Sequence, residues 1–279
     1  MNNYLKNITY LFVISVFFPI TSLANDENVL WIQSTTSTRD SGLYDFILPK
    51  FEEKYKVKAY VIAVGTGQAL QNAKNCDGDI LITHATSLEK KFVNDGYGIA
   101  RSNLMYNNFI IIGPSDNPAN INFNDEISIV FQKISNTKSK FISRGDNSGT
   151  HLSEIRLWNI AKIDPSLYSG KWYLNTGQGM GSTLNIAVGL NGYTFTDNAT
   201  WIRFKNKKQH KVIFKNNPNL FNQYGIIKIN PKHCTNSNHS VANLFYNWIL
   251  SKEGQNLIAS FKLHGHQLFI PNHLKNNNQ

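Results

Sequence analysis

The stretch Ser143–His151, which reads S-R-G-D-N-S-G-T-H, decides how this chain is interpreted. It follows a short apolar run and precedes apolar residues at helical spacing, so it predicts a turn that leads from a strand into a helix. Backbone N–H groups in the first turn of a helix lack intrahelical partners and favour an anion. Arg144 adds a planar positive group, and Ser148 and Thr150 add hydroxyl donors. The stretch therefore predicts a site for a small tetrahedral anion.

Strands and helices alternate before this stretch. Val29–Gln33, Lys56–Val64 and Asp79–Thr83 are apolar or β-branched runs typical of strands, and segments with helical spacing separate them. Polar turns follow the first two strands, at Ser34–Ser41 and Gly65–Gly67. This order predicts an α/β fold with a parallel sheet whose ligand contacts lie at the carboxyl ends of the strands.

A second α/β unit surrounds the anion-site motif. We predict strands at Phe141–Ile142 and Gly192–Thr196 and a helix over Gly149–Ile163. The end of the later strand offers Thr194 and Asp197 as additional polar candidates for the site.

The first residues are typical of a secretory signal rather than of folded structure. Lys6 supplies the positive region, Leu11–Ile20 the apolar region, and Ser22-Leu23-Ala24 a small-residue cleavage site. We therefore expect Met1–Ala24 to be removed on export, and we expect no membrane-spanning segment because the apolar run is short.

The formal net charge of +10 is compatible with nucleic acid, an acidic polymer or a small anion as partner. The densest lysine group, Lys205–Lys215, is interrupted and has no interleaved aromatic RNA-binding pattern. Such a group is typical of a solvated face, so no nucleic-acid partner is expected.

Two cysteines, Cys76 and Cys234, lie far apart in the sequence. In an oxidising compartment they could form a disulfide or remain unpaired, and the sequence leaves both alternatives open. The histidines show no metal-ligand spacing, so no protein-bound metal cation is expected.

An enzymatic interpretation rests on Asp146, Ser148 and His151, the residue types of a nucleophilic triad. A triad needs side chains that converge from separate elements, whereas these three share one turn and one helix start. A secreted hydrolase is therefore the less favoured alternative, and no catalytic residue is assigned.

Taken together, Ser34–Gly42 (S-T-T-S-T-R-D-S-G) and Ser143–His151 resemble the periplasmic tungstate-binding proteins of bacterial ABC transporters. The resemblance covers essentially the whole chain after the signal, including Val64–Leu70 (V-G-T-G-Q-A-L) and Trp172–Leu184 (W-Y-L-N-T-G-Q-G-M-G-S-T-L). Ser34 departs from the family, which usually has threonine there, but it keeps the hydroxyl group.

The resemblance implies a two-lobed periplasmic binding protein type II fold that closes on its anion. Each lobe would be a mostly parallel sheet flanked by helices, with two hinge crossings between the lobes. Residues 25–113 and 214–279 would form lobe one, and 114–213 would form lobe two. Cys234 would then return to the lobe of Cys76, which keeps a disulfide possible.

The resemblance also implies a set of anion ligands from both lobes: Thr35, Thr36, Ser37, Thr66, Arg144, Ser148, Gly149 and Thr150. Asp146 would orient Arg144 rather than contact the anion. The expected protein is a monomeric periplasmic receptor without a cofactor, whose partners are tungstate or molybdate and a membrane permease.

Phosphate-binding proteins of the same fold share the Arg144–Thr150 pattern, but they carry a carboxylate after the third strand that accepts the proton of phosphate. The matching position here is His84, which would either donate a hydrogen bond or pack below the site. Because a carboxylate would repel a fully deprotonated dianion, its absence favours tungstate or molybdate. A phosphate or sulfate receptor remains the alternative.

Overall fold

The computed structural model describes residues 28–273, so the predicted signal Met1–Ala24 lies outside the described residues. Its helices are α1 (Thr36–Asp40), α2 (Leu43–Tyr55), α3 (Thr66–Lys74), α4 (Thr86–Asn94), α5 (Ile127–Asn136), α6 (Gly149–Ile160), α7 (Met180–Gly189), α8 (Asn198–Arg203), α9 (His239–Leu250) and α10 (Lys252–Ser260). Its strands are β1 (Val29–Thr35), β2 (Lys58–Val64), β3 (Ile80–Thr83), β4 (Gly98–Pro114), β5 (Phe141–Ser143), β6 (Tyr173–Asn175), β7 (Tyr193–Asp197), β8 (His210–Phe214), β9 (Phe221–Ile229), β10 (Lys262–Leu263), β11 (His266–Gln267) and β12 (Ile270–Pro271). Short 3₁₀ helices lie at Pro165–Tyr168 and Pro218–Leu220.

Ten of the described strands form a mixed sheet in the order β2-β1-β3-β9-β4-β7-β5-β6, with β8 and β12 also paired to β4, and β10 and β11 form a separate pair. The groups at the two ends are parallel, β2-β1-β3 and β7-β5-β6. The strands between them, β9, β4 and β8, run antiparallel to their neighbours. The sheet is thus parallel within each end group and antiparallel at the centre, where the chain passes from one strand group to the other and back.

The long strand β4 links the two groups because it changes partner along its length. Asn108 is the last residue that pairs with β9, and Phe109 is the first that pairs with β7. The apolar pattern of the sequence indicates a strand only over Asn107–Gly113, because the preceding part contains the polar run Arg101–Asn103.

Each of the two strand groups has its own buried apolar cluster. One buried cluster combines β1 and β3 with the carboxyl-terminal segment, for example Ile32 with Phe245. Another surrounds Trp158 and includes Phe109 and Phe214. Phe109 lies at the point where β4 changes partner, and it packs in this second cluster together with Phe214.

The polar segment Ser34–Ser41, expected as a turn, is instead the end of β1 followed by the short helix α1. Local hydroxyl bonds explain the difference. The Oγ1 atom of Thr35 lies 2.8 Å from that of Thr38, and Ser41 Oγ donates to the Thr38 carbonyl at 2.6 Å. Serine and threonine side chains thereby close a helical turn that has no apolar periodicity.

Cys76 and Cys234 form a disulfide, with an S–S distance of 2.08 Å and a Cα–Cα distance of 5.3 Å. The bond ties the end of α3 to the segment after β9, across a sequence separation of 158 residues. Closure of so long a loop contributes about 2–4 kcal/mol to stability. Within residues 28–273, every helix is too short or too polar to cross a membrane.

Candidate anion-binding site

The loop between β5 and α6 carries the motif that dominated the sequence. Ser148 is the N-cap residue of α6, and its Oγ accepts the His151 N–H at 3.3 Å. Gly145 and Asn147 adopt the left-handed conformation, with φ values of 58° and 55°. Glycine and asparagine tolerate this region best, so the sequence permits the tight turn that directs the start of α6 at the site.

Arg144 lies inside this turn and is only 3% exposed. Its Nη2 donates to Asp146 Oδ2 at 2.5 Å, and Asp146 Oδ1 accepts the Ser148 N–H at 3.1 Å. The Asp146 carboxylate therefore holds the guanidinium and the helix start in one arrangement.

Hydroxyl groups from the other strand group form the facing wall. Thr35 Oγ1 lies 3.2 Å from Ser37 Oγ, and both residues are buried. Thr66, the first residue of α3, is also buried, whereas Thr36 is partly exposed.

The two walls touch at Gly149. Its N–H donates to Thr66 Oγ1 at 3.1 Å, a bond between residues 83 positions apart. A Cβ atom placed on Gly149 would lie 3.0 Å from Thr66 Oγ1 and 3.2 Å from His84 Nε2. This close approach favours glycine at position 149, because a larger residue would push against these neighbours, and it brings Thr66, His84 and the start of α6 together.

Two polar atoms in this region are buried without a hydrogen-bond partner among the described residues. They are Arg144 Nε and Thr150 Oγ1. A buried unsatisfied donor costs about 1–3 kcal/mol, and more if it is charged. Both belong to the predicted ligand set, and both can donate to an anion.

Comparison with known proteins places the chain among anion receptors. The family model described as PBP superfamily domain matches residues 27–253. The tungstate-binding protein TupA of Peptoclostridium acidaminophilum is 42% identical over 248 residues, which cover 88% of this chain and 86% of that protein. The chain belongs to the PBP superfamily and to the family of these tungstate-binding proteins.

Solved structures of this family have the same fold. The tungstate-binding protein TupA from Desulfovibrio alaskensis G20 shares 42% identity with a TM-score of 0.75, covering 88% of this chain and 99% of that chain. The structure of the tungstate ABC transporter from Geobacter sulfurreducens shares 41% identity with a TM-score of 0.76, covering 84% and 99%.

Two of the predicted candidates, Thr194 and Asp197, have hydrogen-bond partners within the fold of this family member. The Thr194 hydroxyl donates to the Ile142 carbonyl at 2.6 Å inside the sheet. Asp197 is the N-cap of α8 and accepts the Thr200 N–H at 3.0 Å. These partners give both residues structural roles within β7 and at the start of α8.

His84 does more than pack below the site. It is 4% exposed, its ring stacks on Tyr224 with centroids 4.9 Å apart, and its Nε2 lies 3.3 Å from Ser37 Oγ. Burial lowers the pKa of His84 to about 4, against the opposing hydrogen bond to Asn222, and the Arg144 charge lowers it further. The imidazole is therefore neutral at physiological pH.

Sequence reasoning missed Glu154, which supports the anion-site loop from α6. Its carboxylate accepts from Ser143 Oγ at 2.7 Å, Tyr173 Oη at 2.8 Å and Trp158 Nε1 at 3.1 Å. Burial raises the pKa of Glu154 to about 7 against these hydrogen bonds. The sequence shows only an isolated glutamate, Glu154, one helical turn before Trp158, and this pattern does not by itself indicate a role.

A cleft of about 560 Å³ opens beside the site and shares His84, Gly149 and Asn222 with it. Its lining includes the cationic side chains of Lys90, Arg101 and Arg156. Arg101 forms an ion pair with the buried Glu89, with 2.7 Å between Arg101 Nε and Glu89 Oε2. The positive charge at this opening favours the approach of anions.

The triad interpretation fails on geometry. Ser148 Oγ caps α6, and His151 Nδ1 accepts the Asn147 N–H at 3.1 Å. Asp146 is engaged by Arg144 and by the Ser148 backbone. These contacts do not link the serine hydroxyl to a base, as nucleophilic catalysis requires.

Proposed function

We propose that this protein is the substrate-binding component of an ABC transporter that captures tungstate and delivers it to a membrane permease. Molybdate, of nearly the same size and charge, is the alternative cargo. The proposal includes export to the periplasm through the signal at Met1–Ala24 and action as a receptor rather than an enzyme.

The pair of unsatisfied buried donors, Arg144 Nε and Thr150 Oγ1, carries the proposal. A tetrahedral oxyanion beside them would accept from both, and Ser37 and Thr66 would contribute hydroxyl groups from the facing wall. The names of the tungstate-binding relatives support the identity of the anion.

The energetics require a preformed site. About six hydrogen bonds to a charged ligand, at roughly 1.5–3 kcal/mol each, supply roughly 9–18 kcal/mol. Association and ordering cost about 4–15 kcal/mol. Because these ranges overlap, tight binding depends on donors that are already ordered, as the contacts of Asp146 order Arg144.

We further propose that the two core clusters behave as lobes that close on the anion. β4 and β9 are the crossing strands, and the partner change at Asn108/Phe109 marks one hinge. The bond between Gly149 and Thr66 would then form or strengthen on closure.

Titration calorimetry with sodium tungstate, molybdate, sulfate and phosphate tests the function. We expect tight binding of tungstate and molybdate with one site per chain, and weak or undetectable binding of phosphate and sulfate. Tight phosphate binding without tungstate binding would refute the proposal and favour the phosphate receptor.

A further inference from the structure

A chain of buried hydrogen bonds links the second strand group to the candidate site through the crossing strands. Asp197 Oδ1 accepts from Asn107 Nδ2 at 3.2 Å, and Asn107 Oδ1 accepts from Asn222 Nδ2 at 2.7 Å. Asn222 Oδ1 then lies 2.9 Å from His84 Nδ1. All four side chains are buried.

The direction of this chain is fixed at its far end. Asp197 Oδ1 also accepts the Thr200 N–H at 3.0 Å, and a backbone N–H can only donate. Asn107 therefore donates its amide N–H to Asp197 and accepts at its carbonyl oxygen from the amide N–H of Asn222. Asn222 in turn directs its carbonyl oxygen at His84. The last acceptor, Asn222 Oδ1, requires a proton on His84 Nδ1.

This arrangement determines the other ring nitrogen. A neutral imidazole with its proton on Nδ1 has a lone pair on Nε2. That lone pair faces Ser37 Oγ at 3.3 Å, so the Ser37 hydroxyl donates to His84. His84 Nε2 then has no proton to offer an anion, and the Ser37 proton is held by His84.

We propose that His84 takes up a solvent proton at Nε2 when a fully deprotonated oxyanion binds, and that Asn222 and Asn107 are positioning residues that make Nε2 the receiving atom. This inference rests on the proposed function. The new Nε2–H bond donates to the anion or to Ser37 Oγ, which frees the Ser37 hydroxyl to donate to the anion.

The charges around His84 favour this coupling. Arg144, from the loop after β5, opposes protonation of the empty site, and a bound dianion would offset that charge. On β9, burial raises the pKa of Tyr224 well above its usual range, so its stacked ring stays neutral. Ser37 of α1, Gly149 of α6 and Phe109 of β4 face the ring without charge.

Charged groups also lie at the edges of this environment. Lys90, Arg101 and Arg156 line the cleft that His84 borders, with Glu89 paired to Arg101. Asp197 stands at the far end of the hydrogen-bond chain, and burial raises the pKa of its carboxyl. On binding, the only charge added directly beside the ring would be that of the dianion. Because that charge is negative, binding would raise the pKa of His84.

The test is titration calorimetry with micromolar tungstate and molybdate, in buffers of different ionisation enthalpy, between about pH 8 and about pH 5.5. We expect proton uptake that grows toward the acidic end, with affinity rising by at most about tenfold per pH unit. His84→Gln should still bind but lose the uptake and the pH dependence.

His210→Gln is the matched control. His210 is also a buried histidine, and burial lowers its pKa. Its Nε2 contacts the carbonyl of Gly192, which directly precedes β7, whereas Asp197 is the last residue of β7. Its variant should behave like the wild type.

Asn222→Asp is a second variant, which serves if His84→Gln does not fold. A carboxylate opposite Nδ1 stabilises the protonated ring, so the pH dependence should move to higher pH.

Binding without proton uptake in the wild type, or uptake that persists in His84→Gln, overturns the inference alone. Absence of tungstate and molybdate binding at every pH overturns the proposed function and the inference with it.

Discussion

The two walls of the candidate site use the same kinds of donor in different ways. On the first wall, the hydroxyl groups of Thr35, Ser37 and Thr38 bond to one another or to His84. On the second wall, Arg144 Nε and Thr150 Oγ1 are buried without partners among the described residues. The first wall is internally satisfied, and the second carries unsatisfied donors together with the positive charge.

This difference indicates how a receptor can be both stable and ready to bind. Donors that bond to each other must exchange those bonds for bonds to the ligand, so their net contribution to affinity is small. Unsatisfied donors destabilise the empty protein and return that free energy on binding. The second wall should therefore dominate affinity, and the first should contribute shape.

Arg144→Ala should give the largest loss. Removal of the buried charge and its donors costs about 3 kcal/mol of binding free energy, or roughly a hundredfold in Kd for tungstate. Calorimetry measures the change, with Arg39→Ala as control because Arg39 is exposed on α1 and paired with Asp40. A loss below about tenfold would remove Arg144 from the site.

Glu154→Gln tests the support of the second wall. The native carboxyl, with its pKa raised from 4.5 to about 7, binds a proton more readily than the unfolded chain does. Stability should therefore fall as pH rises from 4.5 to about 7 and stay level above, by at most about 3 kcal/mol from this group.

The glutamine variant keeps the shape but does not titrate. Its amide oxygen can still accept from Trp158 and Tyr173, whereas its N–H group would donate to Ser143 Oγ, which reverses that bond. Thermal unfolding of both proteins across this pH range should show a smaller decline for the variant. Equal declines would mean that Glu154 does not titrate in the way its burial implies.

Thr150→Val and Thr38→Val compare the walls directly. Each substitution removes one buried hydroxyl and keeps the branched shape. Loss of the unpartnered Thr150 hydroxyl should weaken tungstate binding by about tenfold, or about 1.4 kcal/mol. Loss of the Thr38 hydroxyl, already bonded to Thr35, should change Kd by less than about threefold. The reverse order would show that the comparison of the walls is wrong.

Much of the site could be predicted because its donors lie in short local motifs. The Arg144–Thr150 turn needed only a strand end, a helix start and residues that tolerate positive φ. Alternation of strands with helices predicted the parallel groups as well. The part of β4 before Asn107 was missed because it has no regular apolar pattern.

The sequence by itself determined which donors exist, and tertiary structure decided which of them meet. Local spacing placed Thr66 in a turn after a strand and Gly149 at a helix start, but only the crossing of β4 and β9 brings the Gly149 N–H within 3.1 Å of Thr66 Oγ1. The same crossing aligns Asn107 with Asn222 and so fixes the proton on His84. Such long-range contacts follow from how the packed strands lie against each other, which local periodicity does not encode.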